Sequence, residues 1–348
     1  MVFVQQKFDG WRLLRWAGCL VVGVTLIALG AVLYGLRTAP TVDLEFSAPK
    51  AGDSGVKMLF LGTSSMAWTD GKNTWMVDGF FSRQAVSRVA FSRLDVDEQR
   101  VLEVAKEAFK RLDVPEVLSG IVVAHSHYDH AIDAPFLVKT FGGMLHGSES
   151  TAQIARGQDV LATHVQATGK QGLANFGQFR VELRESAHAP TGFTGGFNAS
   201  PLHLPAHALS FKEGISYSFL VSHPLLGNRP FALIQPSAGF IPGQNKGITV
   251  DTVFLGTGGL GKLDALYMAD YWQEMVLNTE AKQVYLIHWD NFTLPLMQQG
   301  VPISLQAMPN LVDDFSKSLR ELKKLSQRDG VSLHVLNAWD MVEFPRLP

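Results

Sequence analysis

Four side chains able to bind a metal ion fall within six residues, where Val122-Val123-Ala124 runs straight into His125-Ser126-His127-Tyr128-Asp129-His130. No other feature narrows so far what the chain can fold into. Residues 121–124 read as a short buried strand. Side chains two apart on a strand share a face, so His125 and His127 leave it in the same direction. Asp129 and His130 then need a tighter turn to come back toward one centre. A lone histidine is usually an ordinary residue, but three of them with an aspartate behind a buried strand read as a metal site. Imidazole and carboxylate suit zinc and other transition ions. The single cysteine, Cys19, leaves neither an intramolecular disulfide nor a Cys-based zinc site available.

Near the N-terminus, residues 17–36 read AGCLVVGVTLIALGAVLYGL. This is about 20 residues without a charge, enough at roughly 1.5 Å rise per residue to cross about 30 Å of hydrocarbon. Lys7, Arg12 and Arg15 precede the run and Arg37 follows it, with Trp11, Trp16 and Tyr34 placed as interfacial anchors. The excess of positive charge before the run puts the N-terminus in the cytoplasm and the rest of the chain on the extracytoplasmic (periplasmic or outer) side. A cleaved signal peptide has a shorter apolar core and an Ala-x-Ala-like site, and none follows Leu36. Trp16-Ala17-Gly18-Cys19 resembles a lipoprotein box but precedes the apolar run instead of following it. The expectation is an uncleaved, single-pass signal-anchor.

The organisation expected is a short cytoplasmic N-terminus (1–16), a transmembrane anchor (17–36), a linker (37–50) containing Pro40 and Pro49, and one domain (51–348). Within that domain, strands are expected at 56–61, 74–77, 121–124, 179–184, 216–221, 231–234, 252–255 and 283–287. Helical stripes are expected at 97–112 and 311–325, the second stopped by Gly330. Many strands with interspersed helices imply layered sheets with helices outside, an α/β (α+β) class. The net charge is −2, and no lysine- or arginine-rich stripe marks a nucleic-acid partner.

The pattern His125-x-His127-x-Asp129-His130 resembles the signature of the metallo-β-lactamase superfamily, and the resemblance extends over residues 56–345. The Leu61-Gly62-Thr63-Ser64-Ser65 turn and Met76-Val77-Asp78-Gly79 are similar to the family's opening hairpin. His188 in Glu185-Ser-Ala-His188 and His288 in Ile287-His288-Trp289-Asp290 fall where the family has its later metal histidines. Of its branches, the chain most resembles that of ascorbate-6-phosphate lactonase and N-acyl-phosphatidylethanolamine phospholipase D. The resemblance implies a four-layer αββα sandwich with the metal site at one edge of two sheets. It implies His125, His127 and His188 as ligands of one ion, and Asp129, His130 and His288 as ligands of a second. It also implies a metal-activated water that cleaves an ester, lactone, amide or phosphodiester, with Asp129 orienting that water. Zinc is the expected ion, one or two of them, with manganese and iron as alternatives.

One departure stands out. The family's bridging aspartate follows a middle strand, whereas the matching stretch here, Ala232-Leu-Ile-Gln235-Pro-Ser237-Ala-Gly239, contains no carboxylate. One ion, or two with an unusual bridge through Ser237 or Gln235, both remain open.

Further candidates are Asp78 and Asp290, each able to hydrogen-bond a ligand histidine from behind, and His146, on a loop able to approach substrate. His203 and His207 flank a proline and do not share a regular helix face. His164, His223 and His334 read as structural or surface residues. Phe80-Phe81-Ser-Arg83 reads either as an apolar pocket with an anion contact or as core, and residues 256–261 as a loop near the site mouth. The substrate expected is a small or lipid-like molecule. The alternative function is a non-catalytic metal-binding module on the same fold.

Overall fold

The computed structural model describes residues 10–37, 54–190, 195–227 and 229–345. The linker expected at 37–50 lies outside the described residues except for Arg37. Gly10–Arg37 is one continuous helix of 28 residues, longer at both ends than the apolar run. Its Arg15–Gly35 segment has a mean hydropathy of 2.3 and none of it is buried against the rest of the chain. A helix apolar all round belongs in a protein core or in a membrane, and this one is not in the core of the described residues. Among the described residues it alone is long and apolar enough to cross a membrane, and so is a candidate span.

The remainder forms two seven-stranded sheets. In order across the first are Met341–Pro345, Ser54–Phe60, Met66–Thr69, Thr74–Val77, Gly120–Val122, Met144–Gly147 and Val165–Ala167. The second runs Ser332–Val335, Gln283–Ile287, Thr252–Gly256, Ala232–Gln235, Ser216–Ser222, Phe179–Ser186 and Gln171–Phe176. Each sheet is antiparallel on one side and parallel on the other. The parallel halves use crossovers, and several of these carry the outer helices.

Glu98–Leu112 packs Val101, Val104, Ala105, Ala108, Phe109 and Leu112 inward. Its start is set by Asp97, whose side chain accepts from the Arg100 amide. Ala134–Phe141 and Glu149–Gly157 cover the same sheet, whereas Ala265–Trp272 and Phe315–Asp329 cover the other. The last helix begins later than the stripe at 311–325 suggests, because Asp314 caps it by accepting from the Lys317 amide, and Gly330 ends it in a left-handed turn.

Between the sheets, fully buried Trp68 of the first sheet stacks on Trp75 at 5.7 Å and meets Phe254 of the second at 5.5 Å and Phe231 at 6.1 Å. One continuous apolar core runs from Val56 to Phe344. The result is four layers: helix, sheet, sheet, helix.

Candidate metal centre

The ligand-bearing turns gather where strands end. His125 leaves the Gly120–Val122 strand, His188 follows Phe179–Ser186, and His288 directly follows Gln283–Ile287. His125, His127 and His188 bring one ring nitrogen each within 4.8 Å of one another. Their rings are nearly perpendicular, at 80–86°, with centroids 4.6–4.8 Å apart. Asp129, His130 and His288 form a second group of the same closeness. There, Asp129 Oδ2 lies 3.6 Å from His130 Nε2 and 3.5 Å from His288 Nε2, and the two Nε2 atoms lie 3.2 Å apart. The tighter turn expected after His127 is a short helix, Tyr128–Ala131, which swings Asp129 and His130 back toward the histidines.

These residues fit a cation. His125 is 2% exposed, and neither of its ring nitrogens has a hydrogen-bond partner among the described residues; His288 Nδ1 has none either. A buried polar atom left unpaired is costly, and a metal ion at the ring would satisfy it. Five imidazoles and one carboxylate suit zinc or another transition ion better than a hard ion that seeks oxygen.

Burial, reinforced by the neighbouring imidazoles, holds His125 well below its ordinary pKa, and His188 is pushed down to about 4 by burial and His127. Their lone pairs therefore stay available near neutral pH. Burial alone would raise Asp129, but His130 and His288 hold its carboxyl well below the usual range.

Hydrogen bonds from behind set the tautomers. His130 Nδ1 donates to Asp78 Oδ2 at 2.8 Å, which leaves Nε2 facing the centre. Ser64 Oγ donates to the same carboxylate oxygen, and the other accepts from the Ala124 amide at 2.7 Å. His188 Nδ1 donates to Ala189 O at 2.7 Å. His288 sits in the left-handed region at φ 54°, with its amide donating to Thr63 O at 2.6 Å. Its ring fits because residue 258 is glycine: a Cβ there would lie 2.6 Å from Nδ1.

Several expected roles differ from what the structure holds. Asp290 does not touch the His288 ring; it forms a fully buried ion pair with Arg83 at 2.8 Å and accepts from the Thr63 amide at 2.7 Å. The left-handed turn at His288 directs residue 290 away from the imidazole. Arg83 is thus spent internally and is no anion contact, and Phe80 and Phe81 are core. His146 lies within the Met144–Gly147 strand against Phe176 and is not among the residues lining the cleft. Burial pushes its pKa down to about 4. Gln235 spends its amide on the Ser186 hydroxyl and the Ser237 and Gly239 carbonyls, so it forms no bridge. Ser237 Oγ accepts from the Ala189 amide at 2.9 Å and reaches the cleft wall. His203, on the Gly157 carbonyl, and His207, in a strand pair with Arg93, belong to neither ligand group.

Both ligand groups open into a cleft of about 940 Å³. Leu263, Phe292, Met308 and Val312 give it an apolar side, and Gly258 and Gly259 sit at its wall, as the loop reading of 256–261 expects. Sequence reasoning missed Asp313, which fastens that loop by accepting from the amides of Gly259 and Gly261, and Glu213, a lone acid with no motif around it.

Two facing mixed sheets with helices outside, and the ligands in this chain order at one edge, are the arrangement the resemblance implies. The fold is the four-layer sandwich that the resemblance to the metallo-β-lactamase superfamily implies. No protein-family model and no curated protein matches the sequence. Among solved structures, the chain is similar to Igni18, a metallo hydrolase from Ignicoccus hospitalis, at 11% identity and a TM-score of 0.48, covering 84% of this chain and 99% of that one. It is similar to the metallo-β-lactamase fold protein YhfI of Bacillus subtilis at 14% identity and a TM-score of 0.46, covering 83% and 99%. It is also similar to CmlA, a diiron β-hydroxylase from Streptomyces venezuelae, at 14% identity and a TM-score of 0.48, covering 85% of this chain and 55% of that one.

Proposed function

We propose that the chain is a metal-dependent hydrolase, held at a membrane by its N-terminal helix with the catalytic domain on the extracytoplasmic side. One observation carries the reading: two ligand groups, each converging within 4.8 Å, open into one cleft. His125, His127 and His188 would hold one ion, and Asp129, His130 and His288 a second. Three protein ligands per ion leave a position open toward substrate, unlike a closed structural site. When bound, such an ion, zinc first, lowers the pKa of a coordinated water and polarises the bond under attack.

The chain's own residues supply the rest. Asp78 keeps the proton on His130 Nδ1, so that Nε2 stays a donor of electrons. Asp129, ionised and walled in by imidazoles, accepts a hydrogen bond from the attacking water and points it at the substrate. Ser237 places a hydroxyl where the family carries a carboxylate, which leaves the site one negative charge short. The apolar side at Leu263, Phe292, Met308 and Val312 suits a substrate with an aliphatic or aromatic portion, such as an acyl ester or a phosphodiester of lipid type.

Metal content by mass spectrometry, paired with a panel of ester, lactone, amide and phosphodiester substrates, tests the reading. About two equivalents of metal with chelator-sensitive turnover supports it. The missing carboxylate beside Ser237 favours a second reading, a binding module without turnover. Bound metal with no hydrolysis across the panel would establish that one instead.

A further inference from the structure

Four carboxylates line the cleft, and three of them are committed. Asp129 belongs to the second ligand group, Asp290 is paired with Arg83, and Asp313 accepts from the Gly259 and Gly261 amides at 2.9 and 3.0 Å. The fourth, Glu213, has no hydrogen bond or ion pair to its carboxylate among the described residues. Nor is it close enough to either histidine group to belong to it. Lys262, the lysine on the cleft wall, directs its ammonium to Asn310 O at 2.8 Å.

Glu213 is not there by looseness. Its carbonyl accepts from the amide of Ser126, between the ligands His125 and His127, at 2.8 Å. The next residue, Gly214, takes a left-handed φ of +71°, and its amide donates to Gly196 O. A Cβ on Gly214 would lie 2.5 Å from Ser148 Oγ and 3.0 Å from Ser126 Oγ. Asn198 clamps the preceding residues, accepting from the Lys212 amide and donating to Ser210 O. The loop is thus built onto the histidine-bearing segment, with a free acid projecting into the cleft. Burial raises its pKa, which is the sign of a carboxylate partly removed from water with nothing to compensate it.

We infer that Glu213 is a specificity-determining residue that recognises a cationic, ammonium-bearing group on the substrate. The inference rests on the hydrolase reading. A hydroxyl would give Glu213 one hydrogen bond but leave its charge uncompensated, whereas an ammonium answers both needs. The substrate then has two poles: an electron-rich group presented to the metal ligands, and a cation against the 210–214 loop.

The test uses the full chain in detergent, loaded with zinc, and isothermal calorimetry with two acids of equal length, pentanoate and 5-aminopentanoate. The wild-type protein binds the ammonium acid at least tenfold more tightly. Glu213→Gln removes that preference at unchanged zinc content, and Glu213→Asp, with a shorter reach, keeps part of it. A wild-type protein that does not favour 5-aminopentanoate overturns the inference. So does a preference that survives in Glu213→Gln, or a fall in zinc content there, which would make Glu213 a charge-balancing or ligating group. Because binding is read without turnover, an absence of hydrolysis counts against the enzyme reading alone.

Discussion

Replacing Arg83 with methionine tests how the strained turn carrying His288 is held. Both members of the Arg83–Asp290 pair are fully buried, with 2.8 Å between Nη2 and Oδ2. Methionine keeps much of the apolar stem and removes the charge, leaving Asp290 with the Thr63 amide as its remaining hydrogen-bond donor. Breaking one side of a buried pair typically costs about 3–5 kcal/mol, because the surviving charge has no counterpart. Arg83→Met with Asp290→Asn should recover most of the loss, giving a coupling energy of about 2–3 kcal/mol in a double-mutant cycle. Urea unfolding followed by tryptophan fluorescence reads this directly, since Trp68, Trp75, Trp272 and Trp289 are buried. A loss under about 1 kcal/mol, or a double variant as unstable as the single one, would refute the reasoning. Because Thr63 also accepts from the His288 amide, and both residues are left-handed at φ 52° and 54°, the single variant should lose metal from the Asp129–His130–His288 group first.

Four further outcomes follow from the same geometry. His127→Ala and Asp129→Ala should each abolish turnover; activity retained in either sinks the mechanism. Each ligand group draws on both sheets, so chelation should lower the unfolding free energy by about 2.7 kcal/mol per site relative to free metal at one hundred times its dissociation constant, and the unfolding midpoint with it. A midpoint indifferent to chelator contradicts metal binding in the folded state. His146, held near 4 when folded and near 6.5 when unfolded, takes its proton only on unfolding. Stability is therefore lost as pH falls from about 6.5 to 4, and His146→Gln should remove up to about 3 kcal/mol of that acid loss; equal acid sensitivity in both proteins refutes it. Deleting residues 1–50 should give a soluble, metal-binding protein, and persistent sedimentation with membranes would reveal a second lipid-binding surface.

How much of the site was legible depended on sequence distance. His125, His127, Asp129 and His130 are adjacent, and a strand followed by a turn suffices to unite them. His188 and His288 are separated from that run by whole strands, so only a family resemblance could enlist them. Asp290 misled because adjacency to His288 suggested contact, whereas the left-handed turn sends it to Arg83. Arg83 misled in turn: an arginine beside two phenylalanines reads as a pocket until its buried partner, more than two hundred residues away, is known. Glu213 carried no pattern at all, and only the turn at Gly214 brings it to the cleft. The edge strands were faint for a related reason. Met341–Pro345 and Val165–Ala167 are too short for a periodicity to develop.

That C-terminal strand carries a consequence for how the protein is made. Met341–Pro345 pairs with Ser54–Phe60, so the first sheet is completed by a strand synthesised after all the other described strands. Until then Ser54–Phe60 presents an open edge, the kind of template on which chains join one another. A chain that stops before Met341 keeps its metal ligands yet exposes that edge for good. Aggregation, not loss of chemistry, is its expected failure.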